Sequence, residues 1–109
     1  MLAQLPLPID LYVKLENSGD TERLSECFAP DAVVRDEGHT YEGLAAIKKW
    51  KAETKKKYNH TVTPLEVAER DGKTVLKAKL VGNFPGSPVT VNFNFALQAE
   101  KITSLKIHS

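Results

Sequence analysis

An α+β fold, with helices covering one face of a cone-shaped, curved, mixed or antiparallel sheet, follows from three observations. Apolar residues recur at helical spacing in the first half of the chain. They alternate with period two in the second half. Glycine- and proline-bearing turns separate the segments at short intervals. The 109 residues leave room for one domain, residues 1–109, with one core.

Pro8 suits the first turn of a helix running to about Asn17. At 100° steps Ile9, Leu11, Tyr12, Val13 and Leu15 form one broad arc, so Tyr12 should face inward. Glu16 falls in the same arc, where it reads as a surface carboxylate at the arc's edge, or as a group that hydrogen-bonds Tyr12 or lines the pocket. Ser18-Gly19-Asp20 stops this helix and caps a short one over residues 21–28, which Pro30 ends. Residues 32–37 then alternate, with Ala32, Val34 and Asp36 on one face and Val33, Arg35 and Glu37 on the other. A loop over residues 38–43 leads into a helix over residues 44–58. Its stripe is Leu44, Ile47, Trp50, Thr54 and Tyr58, and its lysines read as a solvated face.

Four strands follow, over residues 61–69, 74–83, 89–99 and 102–107. Asp71-Gly72 supplies the positive backbone angles of a hairpin turn. Val89, Val91, Phe93, Phe95 and Leu97 share one face of the third of these strands. A strongly curved sheet closed by helices makes a cone whose inward side chains line a pocket.

Composition narrows the partners. A net charge of +1 gives no electrostatic case for nucleic acid or an anionic membrane. Pro6 and Pro8 interrupt the only apolar stretch near the N-terminus, so neither a leader nor a span is expected, and the expected location is cytoplasmic. A single cysteine, Cys27, precludes an internal disulfide and reads as inert core. His39, His60 and His108 lack metal-ligand spacing, so neither metal nor cofactor is expected.

Asp36 has two readings. It is a general acid or base held at the mouth of the cone, or else a solvated carboxylate or a turn-forming one that bonds the backbone of residues 38–40. Tyr12 is a core ring, or a donor to a substrate oxygen. Trp50, Phe84, Phe93, Phe95 and Val34 are pocket wall or core. His39 and Tyr41 gate the pocket or decorate a surface loop.

The segments LYVKLENSGD, FAPDAVVRDEG, YEGLAAIKKW and GNFPGSPV, in this order, resemble the SnoaL-like group of the nuclear transport factor 2-like superfamily. The resemblance covers essentially the whole chain and implies a cystatin-like roll. It also implies a small apolar molecule in the cone and a homodimer through the outer face of the sheet, here Lys77, Lys79, Thr90, Asn92 and Asn94. Within that superfamily ketosteroid isomerase places an oxyanion-binding tyrosine at the position of Tyr12 and a general-base aspartate at Asp36. Its third group, a protonated aspartic acid, falls on Phe93, or on Asn92 or Asn94 if the register slips by one. Phenylalanine cannot donate, which argues against steroid isomerisation. The function expected is binding of a small apolar ligand. The alternative is an isomerase, cyclase or dehydratase in which Asp36 moves a proton and Tyr12 holds an oxygen.

Overall fold

Proline begins the first helix in this computed structural model, which describes residues 5–36 and 38–108. Helix α1 (Leu7–Ser18) has Pro6 at its N-cap and Pro8 in its first turn, where the missing N–H costs nothing. Gly19 ends it in the left-handed region at φ 78°, its N–H donating to the Leu15 carbonyl over 2.9 Å. Asp20 then caps a 3-10 turn (Glu22–Glu26) by accepting from the Glu22 N–H over 3.1 Å. The expected short helix is thus a single tight turn.

Strand β1 (Phe28–Asp36) begins earlier than its alternation suggests, and Pro30 lies inside it rather than ahead of it. Glu37 lies outside the described residues. The expected loop over residues 38–43 is partly a strand, β2 (His39–Glu42), which pairs with β1 alone. Helix α2 (Leu44–Tyr58) ends at Asn59, also left-handed. Strands β3 (Thr61–Arg70), β4 (Lys73–Val81), β5 (Val89–Gln98) and β6 (Lys101–His108) complete the chain.

The six strands form one sheet in the order β2-β1-β6-β5-β4-β3. All neighbours are antiparallel except β1 and β6, so the sheet is mixed. Asp71 and Gly72, at φ 51° and 78°, make the β3–β4 hairpin as the sequence requires. Bulges add the curvature. In β6 one extra residue, Thr103, opposes the step from Ala96 to Leu97, and its hydroxyl donates to the Ala96 carbonyl over 3.1 Å. That insertion lets Ile102 and Leu105, three residues apart, both be buried. Pro64 sits beside a second bulge on β3, an edge strand where its missing donor is tolerated.

Both helices lie against one face of this sheet, and the core forms between them. Ile9, Tyr12, Val13 and Leu15 of α1 and Ile47 and Trp50 of α2 meet Ala32, Val34, Leu76, Phe93, Phe95 and Leu105 of the strands. Asn17 fixes α1 to the free edge of the sheet. Its side chain donates to the Val62 carbonyl over 3.0 Å and accepts from the Val62 N–H over 2.6 Å, which imitates a further rung of the ladder.

Candidate functional site

Alternation along β1 carries Asp36 to the inner face. Ala32 and Val34 on that face are fully buried, and Asp36, two residues on, is half-buried at the strand's end. Arg35 is exposed on the opposite face. Tyr12 of α1 points inward as its arc predicts and has no exposed surface. The carboxylate of Asp36 lies within electrostatic reach of its hydroxyl. Both residues singled out for chemistry thus belong to the inner side of the sheet.

The phenol of Tyr12 is held among rings. Phe28, Phe93 and Phe95 surround it edge-on at centroid distances of 5.7, 6.2 and 5.6 Å. All four residues are at most 2% exposed, so these rings fill the inside of the cone. Of the two readings open for Phe93, Phe95 and Val34, packed core is the one their burial fits. Two hollows lie elsewhere among the described residues. One is a cavity of about 10 Å³ beside Glu16, Thr21 and Lys51, and the other a groove of about 290 Å³ between Pro6–Pro8 and the β5–β6 turn.

Phe84 does not join the cluster. It packs edge-on against Tyr58 at 5.8 Å, because the connection from β4 to β5 passes the end of α2. Trp50 is buried and stacks on half-buried Tyr41 of β2, with centroids 5.1 Å apart and planes 19° apart. His39 is exposed next to Tyr41, at 6.4 Å between rings. Tyr41 and Trp50 thus form a two-ring cover at the β2 side of the cone, and His39 lies outside it.

Behind Tyr12 lies a cluster that inspection of the sequence mostly missed. Glu16 is not a surface group; its side chain is 2% exposed. Lys51, expected on a solvated face, is buried with it and donates to both carboxylate oxygens, over 2.7 Å to Oε1 and 2.8 Å to Oε2. His60, just ahead of β3, donates from Nε2 to Oε1 of the same carboxylate. Burial pushes the Glu16 carboxyl up, but the Lys51 ammonium and the His60 contact outweigh it and hold the group at about 2. The Lys51 ammonium also sits 3.8 Å above the Trp50 ring and 5.8 Å from that of Tyr12. A signal was present. A carboxylate on an inward arc requires a cation, and Lys51 lies one turn beyond Ile47 on the apolar stripe of α2.

The Tyr12 hydroxyl itself is buried with no hydrogen-bond partner among the described residues. Burial above all, then the charge of Glu16 and its hydrogen-bonding contact with the hydroxyl, then the charges of Asp36 and Cys27, push its pKa well above the ordinary tyrosine value. The Glu16 carboxylate is therefore within hydrogen-bonding reach of the hydroxyl, although the contact falls outside the distances and angles of a well-formed bond. Tyr12 is thus a neutral phenol at any physiological pH, able to donate and not to accept a charge. The Cys27 thiol is pushed up to about 12 by burial, as inert core should be. Among the described residues no group of three or more His, Cys, Asp or Glu converges as metal ligands. No described helix is long and apolar enough to cross a membrane.

Residues 9–104 match the family described as the SnoaL-like domain. Among solved structures, a "putative polyketide cyclase" (protein SMa1630) from Sinorhizobium meliloti is 40% identical. The match covers 95% of each chain with a TM-score of 0.91. A hypothetical protein from Catenulispora acidiphila with a ketosteroid isomerase-like fold, solved with trimethylamine, is 22% identical. It covers 97% of this chain and 87% of its own, with a TM-score of 0.84. A cystatin-fold protein from Novosphingobium aromaticivorans is 12% identical, with a TM-score of 0.78 over 94% of this chain and 95% of its own. These last two resemblances concern the fold alone. Among curated proteins no sequence matches. The helices, the mixed curved sheet and the family match over most of its length agree: this chain belongs to the SnoaL-like family, with a nuclear transport factor 2-like fold.

Proposed function

We propose that the domain binds a small apolar carbonyl compound whose oxygen accepts the Tyr12 hydroxyl, with Asp36 at the ligand's other side. The observation that carries this reading is a fully buried phenol beside Glu16 whose hydroxyl makes no well-formed hydrogen bond, within electrostatic reach of the half-buried Asp36 carboxylate. A buried donor left unmade costs about 1–3 kcal/mol, and a ligand oxygen would recover it. Because rings fill the interior, the ligand enters by parting them. The Tyr41–Trp50 pair is the part that moves, since β2 is a four-residue edge strand bonded only to β1.

A second reading has one supporting observation, the 40% identity to the "putative polyketide cyclase". Here the Asp36 carboxylate removes a proton from the carbon next to the carbonyl. The C–H electrons pass to the carbonyl oxygen, and the Tyr12 hydroxyl stabilises the resulting enolate. Phe93, buried on β5, leaves Tyr12 as the donor. We also keep the homodimer as part of the proposal. Exposed Lys77, Lys79 and Thr90 and half-buried Asn92 and Asn94 would give it a polar interface, to be read as molecular mass in solution.

Titration of the protein with 1-tetralone and cyclohexanone tests the binding reading. Tyr12→Phe should weaken binding by about tenfold, the value of one hydrogen bond. Equal affinity in wild type and variant would contradict it. Exchange of the ketone's α-hydrogens in heavy water, lost in Asp36→Asn, would separate catalysis from binding.

A further inference from the structure

Tyr41 differs from the other rings on the inner side of the sheet in exposure and in the way it packs. Tyr12, Phe28, Phe93 and Phe95 are at most 2% exposed and Trp50 is 6% exposed, whereas Tyr41 is half-buried. The rings around Tyr12 meet it edge-on, at interplanar angles of 86°, 65° and 72°. Tyr41 instead lies nearly flat on Trp50, 19° from parallel with centroids 5.1 Å apart. A flat seat for a ring therefore exists on Trp50.

The two members of this stack are held unequally. Trp50 comes from the middle of a 15-residue helix, and the Lys51 ammonium, itself bonded to Glu16, stands 3.8 Å from the centre of its ring. Tyr41 comes from a four-residue edge strand that pairs with β1 alone, and the other three residues of that strand are exposed. Moving Tyr41 thus disturbs far less packing than moving Trp50. Register shows what Tyr41 covers. It lies directly opposite Val34, and Asp36 is two residues further along the same face of β1. Outward movement of Tyr41 bares the face of Trp50 on the side of Val34 and Asp36. Trp50 and Tyr12 also face the same Lys51 ammonium, at 3.8 and 5.8 Å, so the seat and the proposed donor are neighbours.

We infer that Tyr41 is a built-in stand-in for the ligand: its ring keeps the place on Trp50 that a flat ring of the ligand takes, so the site selects aryl ketones over saturated ones. The inference rests on the ligand reading proposed above. It goes beyond that reading by naming the ring system accepted and the residue that yields. A planar ring replaces a phenol ring for ring and leaves the indole face covered, whereas a puckered saturated ring cannot lie flat there. Because Tyr41 and the ligand compete for one surface, loss of the Tyr41 ring strengthens binding. A residue that merely walled the site would do the reverse.

The test reads binding through the fluorescence of Trp50, the only tryptophan in the chain. The probes are 1-tetralone and 1-decalone, which share a fused bicyclic skeleton and one carbonyl, but only the first has an aromatic ring. Wild type should bind 1-tetralone about fivefold more tightly than 1-decalone, the worth of one ring stack. Tyr41→Ala should bind 1-tetralone about fivefold more tightly than wild type does. Tyr41→Leu, which keeps apolar bulk without a flat face, should gain in the same direction and provides the reading if Tyr41→Ala does not fold. In the wild-type complex, nuclear Overhauser contacts between the Tyr41 and Trp50 rings should give way to contacts between the aromatic protons of 1-tetralone and the indole. Equal affinity for the two ketones, weaker binding in the Tyr41 variants, or Tyr41–Trp50 contacts that persist in the complex would overturn the inference and leave the ligand reading standing. Failure of wild type to bind either ketone would remove the ligand reading, and this inference with it.

Discussion

Glu16 shows how one buried charge draws others in with it. Taking a carboxylate out of water is costly unless cations and donors follow, and Lys51 and His60 are what follow. Removing a single partner should therefore hurt more than removing the charge. Lys51→Met should cost about 3–5 kcal/mol of unfolding free energy, against a total of about 5–15 for a domain of this kind. The sign of the pH dependence follows from the depressed carboxyl. A group at about 2 when folded and 4.5 when free contributes stability that is complete above 4.5. That contribution is lost as pH falls from about 4.5 toward about 2, and it is on the order of 3 kcal/mol. Urea unfolding between pH 6 and 2 should show this acid limb in wild type. Glu16→Gln should flatten it, and an unchanged limb would mean that Glu16 is not held ionised.

At the scale of elements, His60 depends on a close approach between β4 and the junction of α2 with β3. Gly82 follows the end of β4, and a Cβ there would lie 2.9 Å from the His60 Cβ and 2.9 Å from the Tyr58 carbonyl oxygen. The Asn83 N–H donates to that same carbonyl over 2.7 Å, so the backbone cannot easily retreat. Gly82→Ala should destabilise the fold by about 1–3 kcal/mol, as overpacking does, and should broaden the His60 ring signals in NMR. Wild-type stability in that variant would mean that the junction is looser than its distances indicate. Local signals made most of the elements legible. Gly19, Pro8 and Asp71-Gly72 act through backbone angles, which neighbours hardly alter. The alternation of β5 was equally plain, because one face is buried and the other half-exposed along its length. Strand β2 was not legible, since four mostly exposed polar residues carry no period and pair only because β1 offers an edge. Lys51 was hidden for a related reason. Its helix carries lysines on several sides, and only the position of Glu16 on another element decides which of them is buried.

For the whole molecule, the order of elements and the inward turn of Tyr12 and Asp36 could be read in the sequence, whereas the filling of the cone could not. Periodicity tells which face a ring is on. It does not tell whether the rings from α1, β1 and β5 meet or leave a gap, because that depends on sheet curvature set by bulges such as the one at Thr103. The proposed site is a closed one. Its donor, Tyr12, is buried under its own aromatic shell, and its carboxylate, Asp36, stands half in solvent at the rim. A ligand must therefore exchange places with packed side chains, and the accessible groove near Pro6 and Glu100 is the natural rival for anything bound weakly. Mapping amide shifts of the nitrogen-15-labelled protein during titration with 1-tetralone decides between them most directly. The perturbed amides should cluster at Tyr12, Asp36, Tyr41 and Trp50; shifts confined to Leu7, Pro8's neighbours and the Leu97–Glu100 turn, with Tyr12 and Asp36 unmoved, would contradict the proposed site.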